Sequence, residues 1–256
     1  MILKNCVGLI TGASQGLGKA FAEALLKKEA KVVICDINHA QGVATKAEFD
    51  QGYGPDRTAF IPCDVTSLSQ MKDVFCETLQ MFGRLDVLCN NAGINNENSW
   101  KKTISVNLVA LIQASYLALD HMRCDRGGQG GSIVNIASMS GFIPAAHCPV
   151  YTASKHGVLG FTRSLAEASR FGNYGIRINA LCPSFVNTPI LDTINHEENL
   201  GNFYQFKDSV KDSINIFGVL EPSVIAEGFI QLLEDDSLNG AVMKITTTKG
   251  VHFENY

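Results

Sequence analysis

Short apolar segments recur along the 256-residue chain and alternate with longer segments that follow a helical period. The short segments are rich in Val, Ile, Leu and Cys without polar alternation, which is typical of strands covered on both faces. This alternation predicts a doubly wound parallel sheet with right-handed crossovers. The predicted strands are residues 7–11, 32–36, 58–62, 87–90, 132–137, 176–181 and 242–246.

The segments between these strands predict helices that cover both faces of the sheet. They span residues 16–28, 40–50, 67–82, 100–122, 150–171 and 223–233. Hydrophobic residues make up 46% of the chain, which is enough to fill one large core at this length. We therefore expect a single α/β domain over residues 1–256, of the Rossmann type, with about seven strands.

Residues 184–217 do not fit the strand–helix pattern, because they mix apolar and charged residues without a strand. They follow the carboxyl end of a predicted strand, where open α/β sheets place segments that cover a substrate. We expect a lid over a substrate pocket. An ordinary helical excursion is the alternative.

Charge and hydropathy exclude several classes of function. The net charge is −4, and the longest basic runs are two residues, so no basic face for nucleic acid is expected. Residues 1–5 lead directly into the first strand without the features of a signal peptide. No apolar run reads as long enough to span a bilayer.

The eight cysteines are scattered, and none forms a C-x-x-C pair. Most lie within apolar segments, where a free cysteine behaves as a small hydrophobic residue. This distribution favours core cysteines in a reducing compartment over disulfides or a metal site. We expect no bound metal and a cytoplasmic location.

A glycine cluster lies between the first predicted strand and the first predicted helix. Gly12 permits a tight turn, Gly16 lets the backbone approach a pyrophosphate, and Gly18 permits close packing of the helix on the strand. The free N–H groups of the helix N-terminus would then face the phosphates. The segment predicts a dinucleotide site that includes Gly12, Ser14, Gln15, Gly16, Leu17 and Gly18.

Asp36 ends the second predicted strand, eighteen residues beyond Gly18. A carboxylate there can accept hydrogen bonds from both ribose hydroxyls of the adenosine half, and it repels a 2′-phosphate. No arginine is adjacent to neutralise such a phosphate. Asp36 therefore favours NAD over NADP, the alternative being an ordinary turn aspartate.

Tyr151 and Lys155 are four residues apart in a predicted helix, so their side chains share one face. A tyrosine has an ordinary pKa of about 10, and a nearby ammonium favours the phenolate and lowers that pKa. Ser138 follows the fifth predicted strand and can hold a substrate oxygen against Tyr151. Together they predict hydride transfer between a nicotinamide and an alcohol or carbonyl.

These residues, taken together, make the chain resemble the short-chain dehydrogenase/reductase family. The matching motifs are Thr11-Gly12-x-x-x-Gly16-x-Gly18, Asn90-Asn91-Ala92-Gly93, Asn107, Ser138 and Tyr151-x-x-x-Lys155. The resemblance implies that Lys155 also binds the nicotinamide ribose and that Asn107 holds a water that relays protons. It places Thr188 at the nicotinamide, Asn91 beside the cofactor, and Cys63, Asp64 and Val65 at the adenine. It also implies cofactor contacts for Ile37 and Val186.

Within that family, essentially the whole chain is similar to the members that use NAD to oxidise the allylic 15-hydroxyl of prostaglandins and related hydroxy fatty acids. Supporting segments lie outside the chemistry, among them residues 19–26, 82–86 and 238–247. Many members of the family are homodimers joined through the helices that carry Asn107 and Tyr151. The resemblance therefore implies a lipid-like secondary alcohol as substrate and a homodimer.

The chain departs from those members at positions implied to contact substrate. Cys148 stands where they carry a glutamine that binds the reacting hydroxyl, and a thiol is both a weak donor and a weak acceptor. Phe217 stands where a tyrosine is expected, and Pro183-Ser184 replaces the usual Pro-Gly. The expected substrate contacts are therefore Ser138, Cys148, Phe185 and Phe217, with His147 either a substitute donor or an ordinary loop residue.

Two alternatives remain open at this point. One is a dehydrogenase for steroids, retinoids or small alcohols, because Cys148 replaces the amide. The other is a catalytically silent NAD(H)-binding regulatory protein, a class that usually lacks the tyrosine or the lysine.

Overall fold

The computed structural model describes residues 1–254, which form one eight-stranded sheet flanked by helices. The strands lie in the order β3-β2-β1-β4-β5-β6-β7-β8, and each neighbouring pair is parallel except β7 and β8. Their bounds are β1 Val7–Thr11, β2 Lys31–Asp36, β3 Thr58–Pro62, β4 Val87–Asn90, β5 Gly131–Ile136, β6 Ile176–Pro183, β7 Val242–Thr246 and β8 Gly250–Phe253.

Ten α-helices connect or follow these strands, with short 3₁₀ turns between some of them. Their bounds are α1 Gly16–Lys27, α2 His39–Tyr53, α3 Leu68–Phe82, α4 Trp100–Ile104, α5 Ala110–Met122, α6 Pro149–Phe171, α7 Pro189–Asp192, α8 Glu197–Leu200, α9 Lys207–Phe217 and α10 Pro222–Glu234. The predicted Rossmann-type fold is thereby confirmed.

The sequence prediction missed the eighth strand. Gly250–Phe253 pairs antiparallel with β7 at the sheet edge, and three of its four residues are exposed. Because the predictions relied on continuous apolar runs, a half-polar edge strand gave no signal. The consequence is functional, since the turn between β7 and β8 adds a wall to the cavity described below.

The sheet separates two apolar cores, and successive side chains along a central strand pack into one core and then the other. In β1, Ile10 packs into the core formed with α1 and α10, whereas Leu9 packs into the core formed with α3, α5 and α6. Successive side chains of a strand point to opposite faces, so both faces must be apolar. On the first side the Phe21 and Phe229 rings pack at a tilt of 36°, with centroids 4.7 Å apart.

Helix α4, a π-helical turn at Ser105–Val109 and α5 form one continuous helical segment, Trp100–Met122. The segment has 23 residues, and its apolar 18-residue window has a mean hydropathy of 1.3, so by length and composition alone it could cross a membrane. Half of this apolar window is buried inside the fold, as in a core helix. The segment packs on β4, β5 and α6.

Residues 184–217 fold into α7, α8, α9 and intervening 3₁₀ turns. They carry a small apolar cluster of their own, built on Ile194, Leu200 and Val210. Phe185 and Leu191 pack against this cluster. The segment is therefore a structured helical unit beyond the carboxyl end of β6, and its action as a lid remains a prediction.

Candidate active site

The turn after β1 has the backbone that the glycine spacing predicted. Gly12 and Gly16 have φ angles of +63° and +56°, in the left-handed region that favours glycine. A Cβ on Gly18 would lie 2.2 Å from the Gly12 carbonyl oxygen, so only glycine fits there. The turn and the first residues of α1 thus present bare backbone, which fits a pyrophosphate.

Thr11 and Asn91 hold this turn against the end of β4. The Asn91 Nδ2 donates to the carbonyl oxygens of Thr11 and Gly12, both at 2.9 Å. In return, Thr11 Oγ1 accepts from the backbone N–H groups of Asn91 and Ala92. Asn91 therefore fixes the phosphate turn by hydrogen bonds, and it also lines the cavity.

Asp36 is buried at the end of β2 and already accepts three hydrogen bonds. Its Oδ2 accepts from the N–H and hydroxyl of Ser14, at 2.9 and 2.7 Å, and its Oδ1 accepts from the N–H of Asn38 at 2.9 Å. The carboxylate also lines the cavity. It can therefore fix the phosphate turn and accept from ribose hydroxyls with its remaining lone pairs.

Lys155 projects from α6 into a buried position behind Tyr151. Its Nζ donates to the Ile136 carbonyl oxygen at 2.8 Å and lies 5.5 Å from the centroid of the Tyr151 ring. Burial lowers the pKa of the Lys155 ammonium to about 8. The lysine is thus poised to change protonation state close to neutral pH.

Tyr151 and Ser138 are brought together as the sequence predicted, close enough for their side chains to interact. The expected direction of the tyrosine pKa is corrected, however. Burial raises the pKa of Tyr151, the Ser138 side chain lowers it by less, and the Lys155 charge is not among its causes. Lys155, whose own pKa is lowered to about 8, has already lost its proton where a phenol of raised pKa titrates, so it does not offset the desolvation of the phenolate.

Asn107 lies in the π-helical turn between α4 and α5, a feature often found at functional sites. Its Oδ1 accepts from the Ile94 N–H at 2.8 Å, and its Nδ2 donates to the Ile94 carbonyl at 2.9 Å and to Ser154 Oγ at 3.2 Å. The side chain therefore ties the segment after β4 to α6. Its part in a proton relay remains a prediction.

Cys148 and His147 precede α6 and form a pair. The Cys148 Sγ lies 3.2 Å from the His147 Nε2, and both residues line the cavity. Burial raises the pKa of the Cys148 thiol to about 12 and lowers the pKa of His147 below its ordinary value. Both groups are therefore neutral at pH 7, and they offer a weak thiol and an imidazole in place of the expected amide.

One cavity of about 1190 Å³ joins the phosphate turn to the catalytic side chains and continues to the turn between β7 and β8. Every predicted site residue lines it except Ser14, Gly18 and Asn107. Those three lie one layer behind, where they hold Asp36, the α1 packing and the segment after β4 in place. Within the described residues 1–254, no cluster of His, Cys, Asp or Glu could hold a metal ion.

Three contributions to the site were missed by sequence reasoning. Glu97 is buried and accepts hydrogen bonds from the first turn of α6. Asn95 lines the cavity, and its buried Oδ1 has no partner among the described residues. Lys249 and His252 enter through the unforeseen β8 hairpin. None of these residues belongs to a motif of fixed spacing, and each reaches the site through contacts between residues that are distant in sequence.

Comparison with known proteins agrees with this geometry. Residues 7–199 match the family model described as short chain dehydrogenase. The chain therefore belongs to the short-chain dehydrogenase family, and the suspected family resemblance is confirmed. The Tyr151, Lys155 and Ser138 arrangement and the glycine turn lie within the matched segment.

Two relatives are similar over the full length. The chain is 54% identical to human 15-hydroxyprostaglandin dehydrogenase [NAD(+)] and 52% identical to the enzyme of that name from Bos taurus, in both cases over 100% of this chain and 96% of the relative. Among solved structures, a 3-ketoacyl-(acyl-carrier-protein) reductase from Brucella melitensis complexed with NADH superposes with a TM-score of 0.82 at 26% identity, covering 96% of this chain and 98% of that one.

Proposed function

We propose that this protein uses NAD to oxidise the 15-hydroxyl of prostaglandins or related hydroxy fatty acids to a ketone. The observation that carries the proposal is the Ser138–Tyr151–Lys155 arrangement at the wall of a cavity that is continuous with the phosphate turn. Full-length similarity to enzymes named for this reaction supports the substrate class. Asp36 supports NAD, since its carboxylate disfavours a 2′-phosphate.

The protein's own residues divide the work of alcohol oxidation. Ser138 donates to the substrate oxygen and holds it against Tyr151, whose phenolate form accepts the hydroxyl proton. When bound, NAD⁺ would supply the hydride acceptor and a positively charged ring that would favour the tyrosine phenolate. Lys155, held by the Ile136 carbonyl, would hydrogen-bond the nicotinamide ribose.

The wall of the cavity beyond Ser138 supports a lipid-like substrate. Phe185, Leu191, Ile194, Val210 and Phe217 line it from residues 184–217. The cavity has a volume of about 1190 Å³, and an apolar lining favours the burial of an alkyl chain. These features favour hydroxy lipids over small polar alcohols.

Cys148 supports a second candidate function, that of a dehydrogenase for steroid or retinoid alcohols. The neutral Cys148–His147 pair lacks the two-way hydrogen bonding of an amide, so the reacting hydroxyl is oriented chiefly by Ser138 and Tyr151. The alternative of a catalytically silent regulatory protein has no such support, because Tyr151, Lys155 and Ser138 are all present and all line the same cavity.

The test is the formation of NADH with a 15-hydroxy prostaglandin, beside a panel of hydroxy fatty acids, steroids and retinol. We expect turnover with the prostaglandin and the hydroxy fatty acids, and a 15-keto product by mass spectrometry. Turnover restricted to steroids or retinol contradicts the substrate class, and NADH binding without turnover of any alcohol supports the regulatory alternative.

We also propose a homodimer and a cytoplasmic location. The surface of α5 and its flanks exposes Trp100, Val109 and Tyr116, and Tyr116 packs edge-on against Phe161 of α6. All eight cysteines are free in the structure, which suits a reducing compartment. Light scattering after gel filtration tests the dimer, and a monomer at micromolar concentration contradicts it.

A further inference from the structure

Glu97 places a buried carboxylate against the start of the catalytic helix. Its Oε2 accepts from the Val150 N–H and its Oε1 from the Tyr151 N–H, both at 3.0 Å. Pro149 begins the helix, and the side chain at the N-cap position, Cys148, provides no cap. Glu97, more than fifty residues earlier, therefore supplies the capping acceptors at the turn that carries the catalytic tyrosine.

The same short segment also holds residues 184–217. The Glu97 N–H donates to the Asn199 carbonyl oxygen at 2.7 Å. On either side, the Asn96 Nδ2 donates to the Asn199 Oδ1 at 3.1 Å and the Asn98 Nδ2 donates to the Glu198 carbonyl at 2.8 Å. Residues 96–98 thus form hydrogen bonds to the predicted lid at α8, while the Glu97 carboxylate forms hydrogen bonds to the first turn of α6.

We propose that Glu97 is a positioning residue that couples the lid to Tyr151. Its carboxylate fixes the backbone of Tyr151, and its main chain moves with Asn199. A displacement of the lid at α8 is thereby transmitted to the phenol that accepts the proton. The proposal rests on the proposed oxidoreductase function, but it concerns any alcohol that the protein oxidises.

The placement of Glu97 argues for positioning rather than for helix stability alone. Helix α6 has 23 residues, and a row of buried side chains along it, including Val158, Leu159 and Leu165, anchors it in the core. Its existence does not depend on one cap. What the carboxylate controls is the first turn, where a small displacement of Tyr151 relative to Ser138 changes the reacting geometry.

The primary test compares Glu97→Ala and Glu97→Gln with wild type on the best alcohol found for the wild-type enzyme. Turnover is divided by the number of sites that bind NADH, so misfolded protein is not counted. We expect kcat per site to fall about tenfold to hundredfold in Glu97→Ala. NADH affinity should change less than about twofold, because Glu97 touches the lid and α6 rather than the phosphate turn.

Glu97→Gln is the partial rescue that keeps the test decisive if the alanine variant folds poorly. An amide has one oxygen, so it can accept from only one of the two N–H groups and turns a donor toward the other. Its kcat should lie between alanine and wild type. The matched control is Glu227→Gln, an exposed position on α10, which should leave kcat and NADH binding unchanged.

The coupling is tested with Asn98→Ala, alone and combined with Glu97→Ala. Asn98→Ala removes one lid contact and leaves the carboxylate in place, so we expect KM for the alcohol to rise more than kcat falls. In the double variant the two effects should be non-additive. Additive effects, or a Glu97→Ala enzyme with wild-type kcat per site and only a lower unfolding temperature, would overturn the proposal.

Absence of turnover in the wild type on all alcohols is a failure of the proposed function. The positioning role of Glu97 can then still be tested, because the fluorescence of NADH bound at the site reports on Tyr151. In that case Glu97→Ala should shift the fluorescence spectrum of bound NADH, and Glu227→Gln should not. An unchanged spectrum in Glu97→Ala would overturn the coupling independently.

Discussion

The two ends of the cavity are held in different ways. At the cofactor end, Gly12, Asn91 and Asp36 lie at or just after strand ends and are fixed by backbone hydrogen bonds. At the alcohol end, Cys148 and Phe217 belong to segments between elements or to the predicted lid. The cofactor end is thus fixed by the sheet, whereas the expected substrate contacts lie on parts that can vary without disturbing it.

Charge separates the same two ends. The adenosine end presents the carboxylates of Asp36 and Asp64, while the rest of the cavity wall includes Lys155, Lys244 and Lys249. Lys244 forms an ion pair with Glu254, and Lys155 is buried at the catalytic wall. A dinucleotide with free ribose hydroxyls suits the first end.

The largest expected effect is at the wall that carries Tyr151, where Tyr151→Phe removes the proposed proton acceptor. Turnover should fall about 10²- to 10⁴-fold, the usual contribution of general acid–base catalysis. NADH affinity should be nearly unchanged, since the ring remains. Stopped-flow rates and fluorescence titration measure both, and a variant with more than a tenth of wild-type turnover would break the assignment of Tyr151.

Lys155 should leave a pH signature in stability. Its folded pKa of about 8 lies below the ordinary lysine value, so between these values the unfolded chain binds more protons. The unfolding free energy of wild type should therefore rise with pH relative to Lys155→Met, by on the order of 3 kcal/mol in total.

Urea titrations from pH 7 to above pH 10 measure this difference. Subtracting the variant removes the opposite contribution of the buried cysteines, whose raised pKa values cost stability as the pH rises. Lys72→Met, at an exposed position on α3, is the control and should give no such rise. Parallel curves for wild type and Lys155→Met would contradict the burial of a charged lysine.

Asp36→Ala tests the cofactor end. It removes an acceptor of three hydrogen bonds from the protein and of the expected ribose contacts. Because charged hydrogen bonds contribute about 2 kcal/mol each, KM for NAD should rise roughly thirtyfold or more. Preference for NAD over NADP should fall as well. Unchanged preference would show that another group selects the cofactor.

The smallest expected effect concerns Cys148→Gln at the alcohol end. Restoring one hydrogen bond to the reacting hydroxyl should raise kcat/KM for a 15-hydroxy prostaglandin about fivefold, equivalent to about 1 kcal/mol. Cys76→Gln, at an exposed site on α3, is the control. A loss of activity in Cys148→Gln would show that the Cys148–His147 pair itself serves the native substrate.

Most of the fold and the cofactor end could be predicted from sequence, because local rules determine them. Apolar runs marked seven strands, and glycine spacing marked positions such as Gly12 and Gly16, whose φ angles need glycine. The β8 strand escaped because it is exposed. The Glu97 contacts with Val150 and Tyr151 escaped because they link residues more than fifty positions apart.

The pKa of Tyr151 illustrates another limit. From sequence, the four-residue spacing to Lys155 suggested a lowered value, and only the packed structure shows that desolvation raises it. Burial is a property of the whole fold, whereas spacing is local. In the same way, the sequence could not show that Asp36, besides its expected ribose contacts, accepts a hydrogen bond from Ser14. That contact depends on how β1 and β2 pair.

The most direct test of the central claim is a competition at the alcohol end. Wild-type enzyme with NAD⁺ is given equal concentrations of a 15-hydroxy prostaglandin, a hydroxy steroid and retinol, and the ketone and aldehyde products are quantified by mass spectrometry. Products form in the ratio of kcat/KM, so we predict that the 15-keto prostaglandin dominates. Dominance of the steroid ketone or of retinal, with Tyr151 still required, would show that the cofactor end was retained while the alcohol end was rebuilt for another substrate.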